Sequence, residues 1–185
     1  MMIKMTVEGI GIDPQNNTLV LLRDDEHKVF VPIYIGAAEA MSIQMELDNH
    51  PSPRPMTHDL MADILRKMDV QLLKVTVNDV DKSLYYASLH IQGKDESAPQ
   101  EIDARSSDAI ALALRMQCGI YVSDQVIDKS GIQVEEVASE SGELSSLALE
   151  DEQSISEVSP DEVDRFSKLL EGVDLSGKSG ESQTN

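Results

Sequence analysis

Three acidic residues and one histidine are the strongest candidates for chemistry in this sequence. Glu39, Asp59 and Asp108 carry carboxylates, and His58 is the residue type whose ordinary pKa lies nearest neutrality. Carboxylate oxygens bind Mg²⁺ and Mn²⁺, and a bound divalent cation lowers the pKa of a coordinated water. These are the residue types that a metal-assisted hydrolytic site uses. The three acids would be metal ligands, His58 would act as general base, and Asp59 would also lie beside the reacting group.

Two arginines stand close to these acids in the sequence, Arg54 and Arg105. A guanidinium binds a phosphate group through two parallel hydrogen bonds, so both arginines are candidate catalytic residues that would hold such a group. The competing interpretation is that they form ion pairs with the same acids, which is a common arrangement in an acidic chain.

Each acid also has a structural explanation. If Gly36 and Arg105 are N-caps, Glu39 and Asp108 occupy the third position of their helices. A carboxylate there reaches back to a free backbone N–H and interacts favourably with the positive end of the helix. Asp59 would gain the same benefit in a helix capped by Thr57.

Capping alone would make the chain a non-catalytic oligomeric module that binds a small ligand or a protein partner. His58 would then form only a hydrogen bond to a loop carbonyl. The two interpretations differ in whether Glu39, Asp59 and Asp108 converge in one cleft. Caps on separate helices need not converge, whereas metal ligands must.

Hydrophobic periodicity predicts an α+β fold that positions these residues. A period of two predicts strands over 3–7, 18–22, 29–35, 73–77, 85–91, 101–104 and 120–122. A period of 3.6 predicts helices over 37–47, from the Thr57 N-cap to about 68, over 107–116 and over 123–128. The strand over 29–35 is apolar on both faces, which predicts a central place in the sheet.

The element order repeats once, as two β-β-β-α-α units. Residues 33–40 align with 102–109, which places Glu39 on Asp108 with an offset of 69 positions (108 − 39). The chain is 41% hydrophobic and only 3% aromatic, so the core is expected to consist of Val, Ile, Leu, Met and Ala. One cysteine excludes an intramolecular disulfide. No apolar run approaches the roughly 20 residues that span a bilayer, so no membrane partner and a cytoplasmic location are expected.

The net charge of −19 is divided almost equally between a long body and a short tail. Residues 1–137 contribute −10 (12 basic, 22 acidic) and residues 138–185 contribute −9 (3 basic, 12 acidic). An acidic body argues against broad binding of a phosphate backbone. Any nucleic-acid binding is therefore expected to be weak and to need a divalent cation.

The predicted domain spans residues 1–137, and the tail over 138–185 is expected to be mostly disordered because it is rich in Ser, Glu and Asp. One short helix is predicted near 160–171, where Val163, Phe166, Leu169 and Leu170 form an apolar stripe. This helix is expected to dock on the body or on a protein partner, and removal of the tail should leave the body folded.

Three sequence segments resemble the bifunctional nuclease family over about residues 1–137. They run from Pro32 to Gly36 with Glu39-Ala40 following, from Pro53 to Leu60, and from Asp103 to Ala113. Two departures from the family pattern are Ser106 and Gly119, which stand where the family usually has proline. The resemblance implies a mixed, barrel-like sheet with helices and a homo-oligomer, with a dimer favoured. It also implies cleavage of both RNA and DNA, for which the residues above would supply metal-assisted phosphodiester hydrolysis with Mg²⁺ or Mn²⁺.

Overall fold

The computed structural model describes residues 1–26, 28–94 and 96–133 of the 185-residue chain. The predicted domain boundary at Val137, the tail over 138–185 and its helix near 160–171 lie outside the described residues. Within the described ranges, none of the helices combines the length and apolarity that crossing a membrane requires.

The described residues form eight strands and four helices, which confirms the α+β class. The strands are β1 (Met2–Ile12), β2 (Thr18–Asp24), β3 (Val29–Tyr34), β4 (Val70–Asp81), β5 (Leu84–Gly93), β6 (Gln100–Arg105), β7 (Gly119–Ser123) and β8 (Ile132–Gln133). The helices are α1 (Ala37–Leu47), α2 (Thr57–Lys67), α3 (Ser106–Met116) and α4 (Asp124–Ser130).

All eight strands belong to one mixed sheet in the order β6-β5-β4-β7-β1-β2-β3-β8. Only the β4–β7 pair is parallel, and the sheet is not closed because β6 and β8 form its two ends. The sheet nevertheless curls strongly. The Tyr85 hydroxyl on β5 donates a hydrogen bond to the Pro32 carbonyl on β3 at 2.9 Å, although four strands separate β5 from β3 in the sheet order.

Apart from the two-residue end strand β8, the strand order is symmetric about β7, in agreement with the predicted internal repeat. On each side of β7 lies an antiparallel meander of three strands, β1-β2-β3 or β4-β5-β6, and the helix that follows has 11 residues in both halves. These helices, α1 and α3, begin 69 positions apart (106 − 37), the same offset that aligns Glu39 with Asp108.

One face of the sheet is covered by α1, α2 and α3, and the main core lies between these layers. Tyr85 is the one aromatic residue among its buried members, which otherwise are aliphatic apart from Met5; they include Val20, Leu22, Val31, Ile33, Ile43, Val75, Val77, Ile110, Leu112 and Val122. Burial of such side chains supplies about 1.5–3 kcal/mol each. The prediction that methionines fill the core is right for Met5 but wrong for Met41 and Met68, which are 59% and 68% exposed.

Two predictions about individual elements are also wrong. The strand β3 is not central, because its outer neighbour is the two-residue end strand β8. Its second apolar face is explained by a small separate cluster on the other side of the sheet, where Phe30 packs against Leu19 and Leu21.

The other correction concerns α2, which begins at Thr57 with Met56, not Thr57, in the N-cap position. A helical period predicts an inward stripe of Met61, Ile64, Leu65 and Met68 on this helix. The buried residues of α2 are His58 and Ala62, and of the stripe only Met61 and Leu65 pack against the core. Ile64 is 46% exposed although it was expected to face the core.

Candidate functional site

Arg105 joins Glu39 and Asp108 at one exposed point, which we call the acid–arginine cluster. The Arg105 Nη1 donates to Glu39 Oε1 at 2.9 Å. Its Nε and Nη2 donate to Asp108 Oδ2 and Oδ1 at 2.7 and 2.9 Å. The Arg105 side chain is 66% exposed, against 20% for Glu39 and 27% for Asp108. Two acids from distant sequence segments therefore share one accessible guanidinium.

The packing of α1 against α3 brings these side chains together. Gly36 and Arg105 are the N-caps of the two helices, as predicted, so each acid lies in a first helical turn. The Glu39 carboxylate folds back over Gly36, whose lack of a Cβ leaves room for it. Both acids direct their carboxylates to the Arg105 side chain, and among the hydrogen bonds of the described residues neither forms the predicted bond back to its N-cap N–H.

His58 lies directly beneath the acid–arginine cluster. Its Nε2 is 3.1 Å from Asp108 Oδ1, and its Nδ1 is 2.8 Å from the Ser42 hydroxyl oxygen. An ionised carboxylate only accepts hydrogen bonds, so Nε2 carries the proton toward Asp108. In the neutral ring Nδ1 then accepts from Ser42. Both ring nitrogens have protein partners, and His58 holds Asp108 in place.

Asp59 belongs to a second network that joins the three helices. Its Oδ1 accepts from Arg115 Nε at 2.5 Å, and its Oδ2 accepts from the Met56 backbone N–H at 2.8 Å. Arg115 also donates to the carbonyls of Ala111 and Ser42 at 3.0 and 3.2 Å. The capping role expected for Asp59 is thus present, and the carboxylate binds Arg115 and not Arg105.

The electrostatics keep both aspartates ionised. Burial alone would raise the pKa of Asp108, but hydrogen bonds from Arg105 and His58 outweigh it and hold that pKa below its usual value. Asp59 behaves alike, since bonds from Arg115 and from the Met56 N–H outweigh burial and lower its pKa. Asp108, and then Glu39, raise the pKa of Arg105, so the guanidinium stays charged.

The predicted metal ligands are divided between the two networks. Among residues 1–133 other than 27 and 95, no group of three or more His, Cys, Asp or Glu side chains is placed to hold a metal ion. Glu39 and Asp108 are together and Asp59 is apart. A pair of carboxylates does suit Mg²⁺, which usually keeps several waters and takes its remaining oxygens from substrate phosphate.

The structure therefore brings together four of the predicted residues, Glu39, His58, Arg105 and Asp108. Arg54 is exposed on the loop before α2 and has no contact with this group among the interactions of the described residues. The sequence did not indicate Ser42 or Arg115. Neither residue belongs to a motif with chemical meaning, and only the packing of the helices shows their contacts.

The acid sensitivity of the fold is expected to depend on Asp59. The pKa of Asp59 is lower in the folded state than in the unfolded state, where it is about 4. The contribution of Asp59 to stability is therefore complete above about pH 4. It is lost as the pH falls from there through the lower pKa of the folded state. We expect Asp59→Asn to be less stable than the parent at pH 7 and to lose less stability between pH 5 and pH 2.5. Urea unfolding across this range measures both quantities.

The matched control for this experiment is Asp63→Asn. Asp63 pairs with Arg66 on the surface of α2, where its side chain is 50% exposed. This variant should follow the parent at every pH. Equal acid slopes for Asp59→Asn and the parent would contradict the prediction.

Comparison with known proteins identifies the family of the chain. The family model described as the bifunctional nuclease domain matches residues 20–135. An uncharacterized protein of Mycobacterium tuberculosis is 31% identical over 171 residues, which are 92% of this chain and 94% of that protein. Bifunctional nuclease 1 of Oryza sativa subsp. indica is 23% identical over 121 residues, or 64% of this chain and 36% of that protein. Bifunctional nuclease 2 of Arabidopsis thaliana is 26% identical over 120 residues, with the same coverage of 64% and 36%. The family match spans more than half of the sequence, and the chain therefore belongs to the bifunctional nuclease domain family.

Proposed function

We propose that the chain is a nuclease that hydrolyses phosphodiester bonds of RNA and DNA at the acid–arginine cluster. The observation that carries this proposal is the convergence of Glu39, Asp108 and Arg105 at one accessible point. Simple capping of two helices would not require the two acids to meet. The relatives named as bifunctional nucleases support the same class of reaction.

Arg105 is the group that would bind the scissile phosphate. Its side chain is the most exposed of the cluster at 66%, and its guanidinium can move from one carboxylate to a phosphate while it keeps the other. The positive charge would neutralise the charge that develops on the phosphate oxygens in the transition state. Asp108, held by His58, would orient the attacking water.

His58 as general base stays a prediction. In the present arrangement its ring nitrogens face Ser42 and Asp108. To take a proton from water, the imidazole must release one of these partners. The burial of His58, at 7% exposure, favours a role in which it acts through Asp108.

A divalent cation, Mg²⁺ or Mn²⁺, is part of the proposal. Two carboxylates and one guanidinium leave the cluster with a net charge of −1, which repels a phosphate group. Glu39 and Asp108 would hold the cation, whose chemistry is to neutralise phosphate charge and to acidify water. Residues 1–137 are acidic overall and repel phosphate, which makes neutralisation by a bound cation more important.

The test is a nuclease assay on the pure protein with and without excess chelator. We expect cleavage of labelled RNA and DNA with Mg²⁺ or Mn²⁺, its loss with chelator, and a fall of about 10²–10³-fold in Asp108→Asn. Asp63→Asn is the control, because it removes the same charge from an exposed site on α2. If cleavage persisted both in excess chelator and in Asp108→Asn, the activity would belong to another site or to another protein in the sample.

The second candidate is a non-catalytic oligomeric module that binds a small ligand or a protein. One stripe on α2 favours an interface there: Leu60, Ile64 and Met68 are spaced four residues apart and are 54%, 46% and 68% exposed. A dimer that covers this stripe is compatible with the nuclease as well, since the acid–arginine cluster lies at the starts of α1 and α3. Absence of cleavage under every metal condition would favour the second candidate.

A further inference from the structure

Exposed apolar side chains flank the acid–arginine cluster. Tyr34 at the end of β3 and Leu84 at the start of β5 are 49% and 59% exposed. Both line the same shallow pocket as Glu39 and Arg105. The pocket thus combines a guanidinium that can hold a phosphate with an aromatic ring accessible to solvent.

A second exposed tyrosine lies next to Arg105 on the sheet. Tyr86 of β5 is the direct partner of Arg105 on β6, and it is 42% exposed. Residues directly opposite each other in an antiparallel pair have Cβ atoms about 4.5–5.5 Å apart. Arg105 therefore shares the pocket lining with one exposed tyrosine, Tyr34, and has a second, Tyr86, as its cross-strand partner outside the lining.

The exposed tyrosines of this chain are concentrated near Arg105. The chain has four tyrosines and no tryptophan. Tyr85 is buried in the core and Tyr121 is partly covered by Lys74, whose Nζ is 5.7 Å from the ring centroid. The two tyrosines that are more than 40% exposed, Tyr34 and Tyr86, are both neighbours of the proposed phosphate-binding residue.

We propose that this pocket is a base-binding subsite for single-stranded nucleic acid. Tyr34 stacks on one base while Arg105 binds the adjoining phosphate. Every base has a flat π-face that an aromatic side chain can cover, so stacking of this kind tolerates any sequence. In a duplex the same faces are occupied by neighbouring bases, and a single strand is therefore the substrate that fits.

The subsite also accounts for the hydrophobic lining of an otherwise charged site. Leu84 supplies an apolar contact for a base edge, and Glu39 lies beside Arg105, to which it is hydrogen-bonded. The inference rests on the proposed function, because it takes Arg105 as the phosphate contact.

The experiment compares Tyr34→Ala and Tyr34→Phe with the parent, using the full chain with Mg²⁺. The probes are a fluorescein-labelled twelve-nucleotide single strand and a hairpin duplex that contains the same sequence. We expect Tyr34→Ala to raise KM for the single strand about tenfold with little change in kcat, because stacking acts in binding. Tyr34→Phe should retain the parent KM, since its ring still stacks. The duplex should respond to neither variant.

Tyr121→Ala is the matched control, because it removes a tyrosine from β7 outside the pocket, and it should leave both constants unchanged. Equal KM values for Tyr34→Ala and the parent, or an equal loss on single strand and duplex, would overturn the subsite. Equilibrium binding of both probes to the Asp108→Asn variant tests the subsite without turnover. Full cleavage by Asp108→Asn would instead overturn the proposed function, and the KM values of Tyr34→Ala and the parent would still decide whether the subsite exists.

Discussion

Replacement of Arg115 by methionine is expected to lower the free energy of unfolding by about 1–3 kcal/mol, the usual cost of leaving buried acceptors without a donor, because its partner Asp59 is 31% exposed and stays partly solvated. The Arg115 side chain is only 5% exposed and bonds to Asp59 and to the carbonyls of Ser42 and Ala111. Methionine fills the aliphatic part of the same space but donates nothing. Two carbonyls and one carboxylate at the junction of α1, α2 and α3 would lose a donor.

Urea unfolding of the parent and of Arg115→Met measures the loss. The control is Lys129→Met, which removes a 51% exposed cation paired with Asp79 away from this network and should cost less than about 1 kcal/mol. The double variant Asp59→Leu/Arg115→Met should recover much of the stability, because it leaves no unpaired carboxylate. A loss below about 1 kcal/mol for Arg115→Met would show that this network does not hold the helices together.

Replacement of Arg105 by alanine is expected to reduce cleavage by about 10²–10³-fold, the usual consequence of removing one group that stabilises charge in a transition state. Stability should change by less than about 1 kcal/mol, because the ion pairs of a 66% exposed side chain contribute little. This combination separates a role in the reaction from a role in the fold.

Arg105→Lys should lie between the parent and Arg105→Ala, since lysine keeps the charge but cannot form two parallel bonds to a phosphate. Arg23→Ala is the matched control, because Arg23 is also an arginine paired with a glutamate, Glu8, on a different part of the sheet. Steady-state cleavage of one labelled substrate by all four proteins gives the comparison. Parent-like cleavage by Arg105→Ala would remove this residue from the site.

Local patterns predicted much of the fold because they depend on neighbouring residues alone. Helix α1 has the predicted bounds, and Gly36 and Arg105 are N-caps as expected. The position of β3 near the sheet's end was not predictable from its apolar faces, because a second small cluster can bury a face as well as a neighbouring layer can. The inward face of α2 depended on His58, a polar residue whose burial no periodicity indicates.

Sequence patterns were equally unable to show which residues of the candidate site come together, because these residues are far apart in the sequence. At the third position of a helix, a capping acid and a site acid have the same sequence pattern, so Asp59 could not be separated from Glu39 and Asp108. Arg105 and Glu39 are 66 positions apart, and only the packing of α1 on α3 shows that they form a pair. Ser42 and Arg115 gave no signal because their partners lie on other helices.

The position of β7 has a consequence for synthesis on the ribosome. One edge of β1 pairs with β2 at once, but its other edge pairs with β7, where Met2 lies opposite Ser123. Because the chain emerges from its N-terminus, β1 keeps an open hydrogen-bonding edge until nearly the whole described region has been made. An open strand edge readily pairs with other chains. The nascent first half is therefore the stage at which this protein most needs protection from aggregation, and a chaperone bound there would be released when β7 closes the gap.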